Sequence, residues 1–312
     1  MIPMFDAHCD TLSWLHRPSY SLACSPGKVD LERMKAFSPC AQFFAVYSNA
    51  KRQGPPMWDR FQAQMELFFQ QMELFPDRVA HCTTAAQAEQ AAREGKLAAF
   101  LSVEGAELLE CSVDRLEQAY EMGVRAVNLT WNNANALSGT NSDCSDQGLS
   151  AQGLAFVRRM RELGMLVDVS HPSDPTFWDI VEKAPGPIFA SHSNARAVHP
   201  SKRNLTDEQI TAVIQSRGVI GLNLYEAFVG TKPTDVTTLV AHVEHILELG
   251  GEGTVALGGD WDGADPLVGG FKDIADWRIL WEELLRRNYP ESLVRDIFYN
   301  NLMRIVREVC DT

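Results

Sequence analysis

The feature that most constrains the fold of this chain is an alternation that runs from one end to the other: short, β-rich apolar runs separated by amphipathic segments. Such alternation predicts βα units around a parallel sheet. The candidate strands run Pro3 to His8, Ala41 to Tyr47, Leu97 to Val103, Ala126 to Thr130, Leu166 to Ser170, Ile188 to Ser191, Val219 to Leu224 and Val255 to Gly259. Eight strands with helices between them fit a closed (β/α)8 barrel, an α/β fold, better than an open doubly wound sheet. The predicted helices include Thr83 to Glu94, Val113 to Met122, Ala151 to Leu163, Asp207 to Gln215 and Thr237 to Leu249. Gly95, Gly123, Gly164 and Gly250 mark helix stops. No linker, composition shift or internal repeat divides the 312 residues, so one domain over 1–312 is expected.

Composition narrows the partners. Hydrophobic residues make up 45% and charged residues 22%, enough apolar surface for a folded core. A formal net charge of -13, without a Lys/Arg-rich run, would repel phosphate backbones and anionic lipid, so neither nucleic acid nor membrane is expected as a partner. Seven widely spaced cysteines with no C-x-x-C pair do not form a disulfide framework. Residues 1 to 30 lack a basic start followed by an apolar run and a cleavage site, which leads to the expectation of a cytoplasmic protein.

In a barrel, catalytic side chains converge at the C-terminal ends of strands, however far apart they lie in sequence. Five of the eight candidate strands end in metal-competent or acidic groups: His8 and Asp10 after the first, Glu104 after the third, His171 after the fifth, His192 after the sixth and Asp260 after the eighth. Strand alternation predicts that Asp6, His8 and Asp10 share the barrel interior while Cys9 faces the helix layer. A lone H-x-D is weak evidence, but two imidazoles with several carboxylates form a mixed nitrogen and oxygen set that suits Zn²⁺ and related divalent metals. A carboxylate such as Glu104 between two ions would leave a strongly acidified bridging water to act as nucleophile. Asp260, in Gly258-Gly259-Asp260-Trp261-Asp262-Gly263, is placed to relay a proton to a leaving amine, and Asp262, further into the turn, to hold the loop. Residues 138–148 read as a long polar loop after the fourth strand, of the kind that builds a barrel site. The stripe Trp58, Phe61, Met65, Phe68, Met72 and Phe75 reads as helix packing, and His242 with His245 as an exposed helical face. His16, His81 and His199 have no ligand partner in the pattern, although His199 is expected to border the substrate pocket near Arg203.

Taken in order, Asp6-Ala7-His8-Cys9-Asp10, Val103-Glu104-Gly105, Asp168-Val169-Ser170-His171, Ser191-His192-Ser193, Lys202-Arg203-Asn204 and the Gly258 to Gly263 segment resemble the renal (membrane) dipeptidase family of zinc peptidases. The likeness extends to Asn301-Leu302-Met303-Arg304-Ile305, similar to a helix that ends family members. The resemblance implies a binuclear zinc barrel that cleaves dipeptides, L-L and L-D. It carries His8 and Asp10 onto one zinc, His171 and His192 onto the other, and Glu104 between them. Asp260 becomes the proton shuttle, and Arg203 the partner of the substrate's α-carboxylate, a role suited to a guanidinium fork. It is compatible with a homodimer. One position departs from the mammalian pattern: a histidine that contacts the substrate carbonyl is replaced in Leu129-Thr130-Trp131-Asn132-Asn133 by Trp131, with Trp131 and Asn132 as candidate substrate-binding groups. Two rivals stay open on residues alone. One is another binuclear amidohydrolase acting on a small amide or ester, whose usual H-x-H and strand-four lysine are missing here. The other is a non-catalytic metabolite-binding barrel, which predicts loss of ligands that this chain retains.

Overall fold

The computed structural model describes residues 1–15 and 20–311; His16 lies outside them. Nine parallel strands form one sheet: β1 (Ile2–Cys9), β2 (Phe37–Tyr47), β3 (Val79–His81), β4 (Leu97–Glu104), β5 (Val124–Asn128), β6 (Leu166–Asp168), β7 (Ile188–Ala190), β8 (Val219–Leu222) and β9 (Val255–Leu257). All except β3 close a ring. β1 pairs with β9 on one side and β2 on the other, and β2 pairs directly with β4 from Ala41/Ala98 to Tyr47/Glu104. The eight strands expected from sequence are therefore the eight staves of a (β/α)8 barrel. The additional β3 pairs with Leu97–Ala99 of β4, below the part of β4 that meets β5.

Local chemistry explains the helices that separate the strands. Thr84, Ser112, Ser150, Ser173 and Thr206 each accept a backbone N–H three residues on, which satisfies a donor in the first helical turn. At the far ends, Gly95 (φ +71°) and Gly250 (φ +89°) adopt left-handed backbone where a Cβ would touch nothing, so conformation rather than space calls for glycine. Helix Met57–Leu74 buries Trp58, Phe61, Met65 and Phe68 against the barrel, the packing role its spacing suggests.

The barrel interior is an aromatic plug. Phe5, Phe43, Phe100 and Phe189, from four strands, are fully buried with ring centroids 5.1 to 5.6 Å apart along the chain of contacts Phe5–Phe100–Phe43–Phe189. Helix Asn301–Cys310 packs Leu302, Met303, Ile305 and Val306 into the same cluster and touches β1, β6, β8 and β9, closing the N-terminal mouth. Asn301 anchors it by donating to the carbonyls of Glu252 and Val255. With that end filled, the C-terminal ends of the strands are left to form the site.

Candidate metal centre

The end of β1 departs from simple alternation. Phe5 and Ala7 point into the barrel, whereas Asp6, paired in register with Gln42, faces the helix layer. There its Oδ2 accepts from Gly259 N (3.1 Å), Trp261 Nε1 (2.9 Å) and Trp277 Nε1 (2.7 Å), while Oδ1 accepts from His8 N (2.9 Å) and Gln42 Nε2 (3.1 Å). The expectation that Asp6 shares the interior with His8 and Asp10 is thus corrected. A register shift between Asp6 and Cys9 breaks the two-residue period and turns His8 and Asp10 into the mouth without Asp6. Cys9 is fully buried in the outer cluster, as expected.

His8, Glu104, His171 and His192 meet over the plug. Glu104 Oε1 lies 2.9 Å from His171 Nε2, 3.5 Å from His192 Nε2 and 3.8 Å from His8 Nε2. His171 Nε2 and His192 Nε2 are 2.9 Å apart, and Asp10 Oδ2 lies 3.6 Å from His8 Nε2. The sequence-predicted ligand residues are therefore brought together. Two triads have their ligand atoms within 4.8 Å of one another: His8, Glu104 and His192, and His8, Asp10 and Asp260. Asp260, at the pocket wall, has left-handed backbone (φ +55°), as does Asp262 (φ +67°), a conformation that costs a side-chain-bearing residue about 1 kcal/mol or more. Asp6 holds the residues on either side of Asp260. The Asp262 carboxylate accepts from Lys28 N (2.6 Å) and Thr11 Oγ1 (2.8 Å), the loop-holding role predicted for it.

The electrostatics follow from so many ionisable groups sharing a buried site. Burial, then the Asp10 carboxylate, push the Glu104 carboxyl well above its ordinary range, and burial likewise raises Asp260. Burial opposes charge on His171 and His192, and the cationic Arg203 and His8 add to the effect, so both imidazoles are held neutral. At His8, burial also opposes the imidazolium, but the carboxylates of Glu104, Asp10 and Asp260 outweigh it and raise the group to about 10. Two atoms of the predicted ligands, His8 Nε2 and Asp10 Oδ1, are buried with no hydrogen-bond partner among the described residues. Nitrogen and oxygen atoms converging in a buried site, two of them unpartnered, are what a bound cation taking the place of the His8 proton would resolve, so the residues present fit a divalent metal.

A cavity of about 350 Å³ opens beside this cluster. Trp131 lines it with its ring 5.0 Å from that of Tyr47, and Asn132 lines it with Oδ1 3.2 Å from His171 Nδ1. Arg203 is buried; its guanidinium sits 5.3 Å from the Phe228 ring centroid, donates to His171 Nε2 (3.0 Å), and leaves Nη1 without a partner among the described residues. Tyr47, Tyr225 and Phe228 in the wall, and Asn223, which donates to Asp260 Oδ2 (3.1 Å), were not picked out from sequence. Tyr47 ends β2 and Asn223 follows β8, so the strand-end rule would have found both had it been applied to aromatic and amide groups as well as ligands. His199 does not line the cavity; its carbonyl holds Asn204 Nδ2 (2.9 Å). Nor are His242 and His245 an exposed pair. His242 is fully buried, accepting from Ala195 N (3.1 Å) at Nδ1 and donating from Nε2 to the Val229 carbonyl (2.8 Å), while His245 pairs with Asp207 (2.7 Å).

Comparison with known proteins agrees with this geometry. The model of the membrane dipeptidase family, peptidase family M19, matches residues 1–312. An uncharacterised protein of the pqqA 5′ region of Klebsiella pneumoniae is 33% identical over 263 residues, covering 78% of this chain and 97% of that protein. A metallopeptidase from Rhodobacter sphaeroides, solved with a phosphinate mimic of the dipeptide L-Ala-D-Ala, superposes with a TM-score of 0.90 at 25% identity over 99% of each chain. A family M19 metallopeptidase described as dipeptidase AC superposes with a TM-score of 0.90 at 27% identity, over 100% of this chain and 99% of its own. The chain belongs to the membrane dipeptidase family and is a metal-dependent dipeptidase.

Proposed function

We propose that the enzyme cleaves L-L and L-D dipeptides with two zinc ions, one ligated by His8 and Asp10, the other by His171 and His192, with Glu104 joining them. The observation that carries this reading is the convergence of His8, His171 and His192 on Glu104 Oε1, with Asp10 beside His8, while His8 Nε2 and Asp10 Oδ1 are buried without partners among the described residues. When bound, such ions acidify a water and polarise a carbonyl. The chain's own groups do the rest. Arg203, which lines the cavity and has one guanidinium nitrogen without a partner among the described residues, pairs with the α-carboxylate of the substrate and sets which bond reaches the cluster. Asp260, oriented by Asn223 and raised by burial, holds a proton and delivers it to the departing amine. Trp131 and Tyr47 wall the cavity and limit side-chain size, and its volume of about 350 Å³ accommodates a substrate of dipeptide size. The phosphinate mimic of L-Ala-D-Ala on the Rhodobacter sphaeroides neighbour supports the L-D range. Seven free cysteines, five of them buried, fit a reducing cytoplasm, and among the described residues no helix is long and apolar enough to cross a membrane.

The cluster of His8, Asp10 and Asp260 favours a second reading of one residue, in which Asp260 is a metal ligand. Metal analysis of Asp260→Asn separates the two. A panel of L-L and L-D dipeptides, assayed with zinc-loaded protein against a metal-free control, tests the substrate range. Turnover of neither stereochemical class above the control would refute it.

A further inference from the structure

We propose that Asn132 is a positioning residue: its side-chain oxygen fixes the His171 imidazole with Nε2 turned toward Glu104, rather than binding substrate as its sequence position suggests. The inference rests on the metal assignment above. Asn132 Oδ1 lies 3.2 Å from His171 Nδ1. On the opposite side of the ring, Nε2 meets Glu104 Oε1 (2.9 Å), His192 Nε2 (2.9 Å) and an Arg203 guanidinium nitrogen (3.0 Å). As a metal ligand Nε2 must present its lone pair, as it also does toward the guanidinium, which can only donate, and the hydrogen is then on Nδ1. That N–H needs an acceptor, and the Asn132 oxygen stands in its path.

The neighbouring imidazole is supported differently. His192 Nδ1 lies 2.7 Å from Ser191 Oγ, and that hydroxyl donates to the buried Asp168 carboxylate. One ring is thus backed by an amide and the other by a serine–aspartate relay, so loss of Asn132 leaves the His192 support intact. The loop bearing Asn132 is pinned to the His171 segment by its backbone. Thr140 Oγ1 lies 2.8 Å from the carbonyls of both Trp131 and His171, and Asn141 N donates to His171 O (3.0 Å). The Ser142 hydroxyl reaches the same Asn132 oxygen (3.4 Å), so both of its lone pairs are engaged within the protein. A hydrogen-bond partner behind a metal-bound imidazole typically contributes about 10- to 100-fold in metal affinity.

The test is zinc affinity of metal-free wild type, Asn132→Ala and Asn132→Asp by chelator competition without substrate, followed by kcat and KM for one dipeptide at saturating zinc. Asn132→Ala should weaken one of two zinc ions by about 10- to 100-fold with KM changed less than about threefold, and Asn132→Asp, whose carboxylate also accepts from Nδ1–H, should restore the affinity. Wild-type zinc affinity in Asn132→Ala together with a KM raised about tenfold would overturn the proposal alone and return Asn132 to the substrate. Failure of the wild type itself to bind zinc would overturn the metal assignment with it.

Discussion

Acidification should cost the folded enzyme stability through His242, a residue outside the metal centre. Its imidazole is fully buried and neutral, linking Ala195 N, three residues beyond His192, to the Val229 carbonyl beside Phe228. Burial, outweighing those hydrogen bonds, lowers its pKa from 6.5 to about 4. A base whose folded pKa lies below its unfolded value contributes stability that is present above pH 6.5 and is lost as the pH falls toward 4. The full loss, below both values, is about 3 kcal/mol, and the part lost between pH 7.5 and pH 5.0 is about 2 kcal/mol. Asn at this position keeps an acceptor for Ala195 N and cannot titrate. Denaturant unfolding of wild type and His242→Asn at both pH values gives a double difference from which other titrating groups largely cancel. The variant should be less stable at pH 7.5 by about 1–3 kcal/mol, with a pH dependence shallower than wild type by about 2 kcal/mol. Identical losses in both proteins between the two pH values would refute the buried neutral imidazole.

Asp260→Asn should lower kcat by about 10²- to 10⁴-fold while the zinc content stays at the wild-type level; elemental analysis showing zinc loss would make Asp260 a ligand instead. Arg203→Lys keeps the charge but not the fork, and should lower kcat/KM for dipeptides by about 10- to 100-fold, since a charge-assisted pair is worth about 1.5–3 kcal/mol. An amidated dipeptide, which lacks the carboxylate, should be equally poor for both proteins. Phe43→Ala opens the interior plug and should cost about 3–5 kcal/mol in denaturant unfolding, against little change in zinc binding at temperatures where it remains folded.

The barrel was legible because each stave is a short apolar run bounded by a capped helix or a glycine stop, and those signals are local. The ligand residues were legible for a related reason: closing the ring forces strand ends together, so His8, Glu104 and His192 meet although nearly two hundred positions separate the outer two. What depended on register was not legible. The shift between Asp6 and Cys9 turned His8 and Asp10 into the mouth and left Asp6 facing the helix layer, and three residues of β3 are too few to carry a period. That Asn132 belongs to the cavity was legible, but its approach to His171 depends on how its loop folds back, which no motif encodes. His242 could have been placed. Leu239, Val243 and Ile246 share its helical face, so the same spacing that buries them buries it.

The most direct measurement is a titration of zinc into metal-free enzyme, following dipeptide hydrolysis and bound zinc together in wild type and Glu104→Gln. The account predicts no turnover without metal, activity that saturates at about two zinc ions per wild-type chain, and loss of both activity and at least one bound ion in Glu104→Gln. Full zinc occupancy in Glu104→Gln, or undiminished hydrolysis by metal-free wild type, would contradict it.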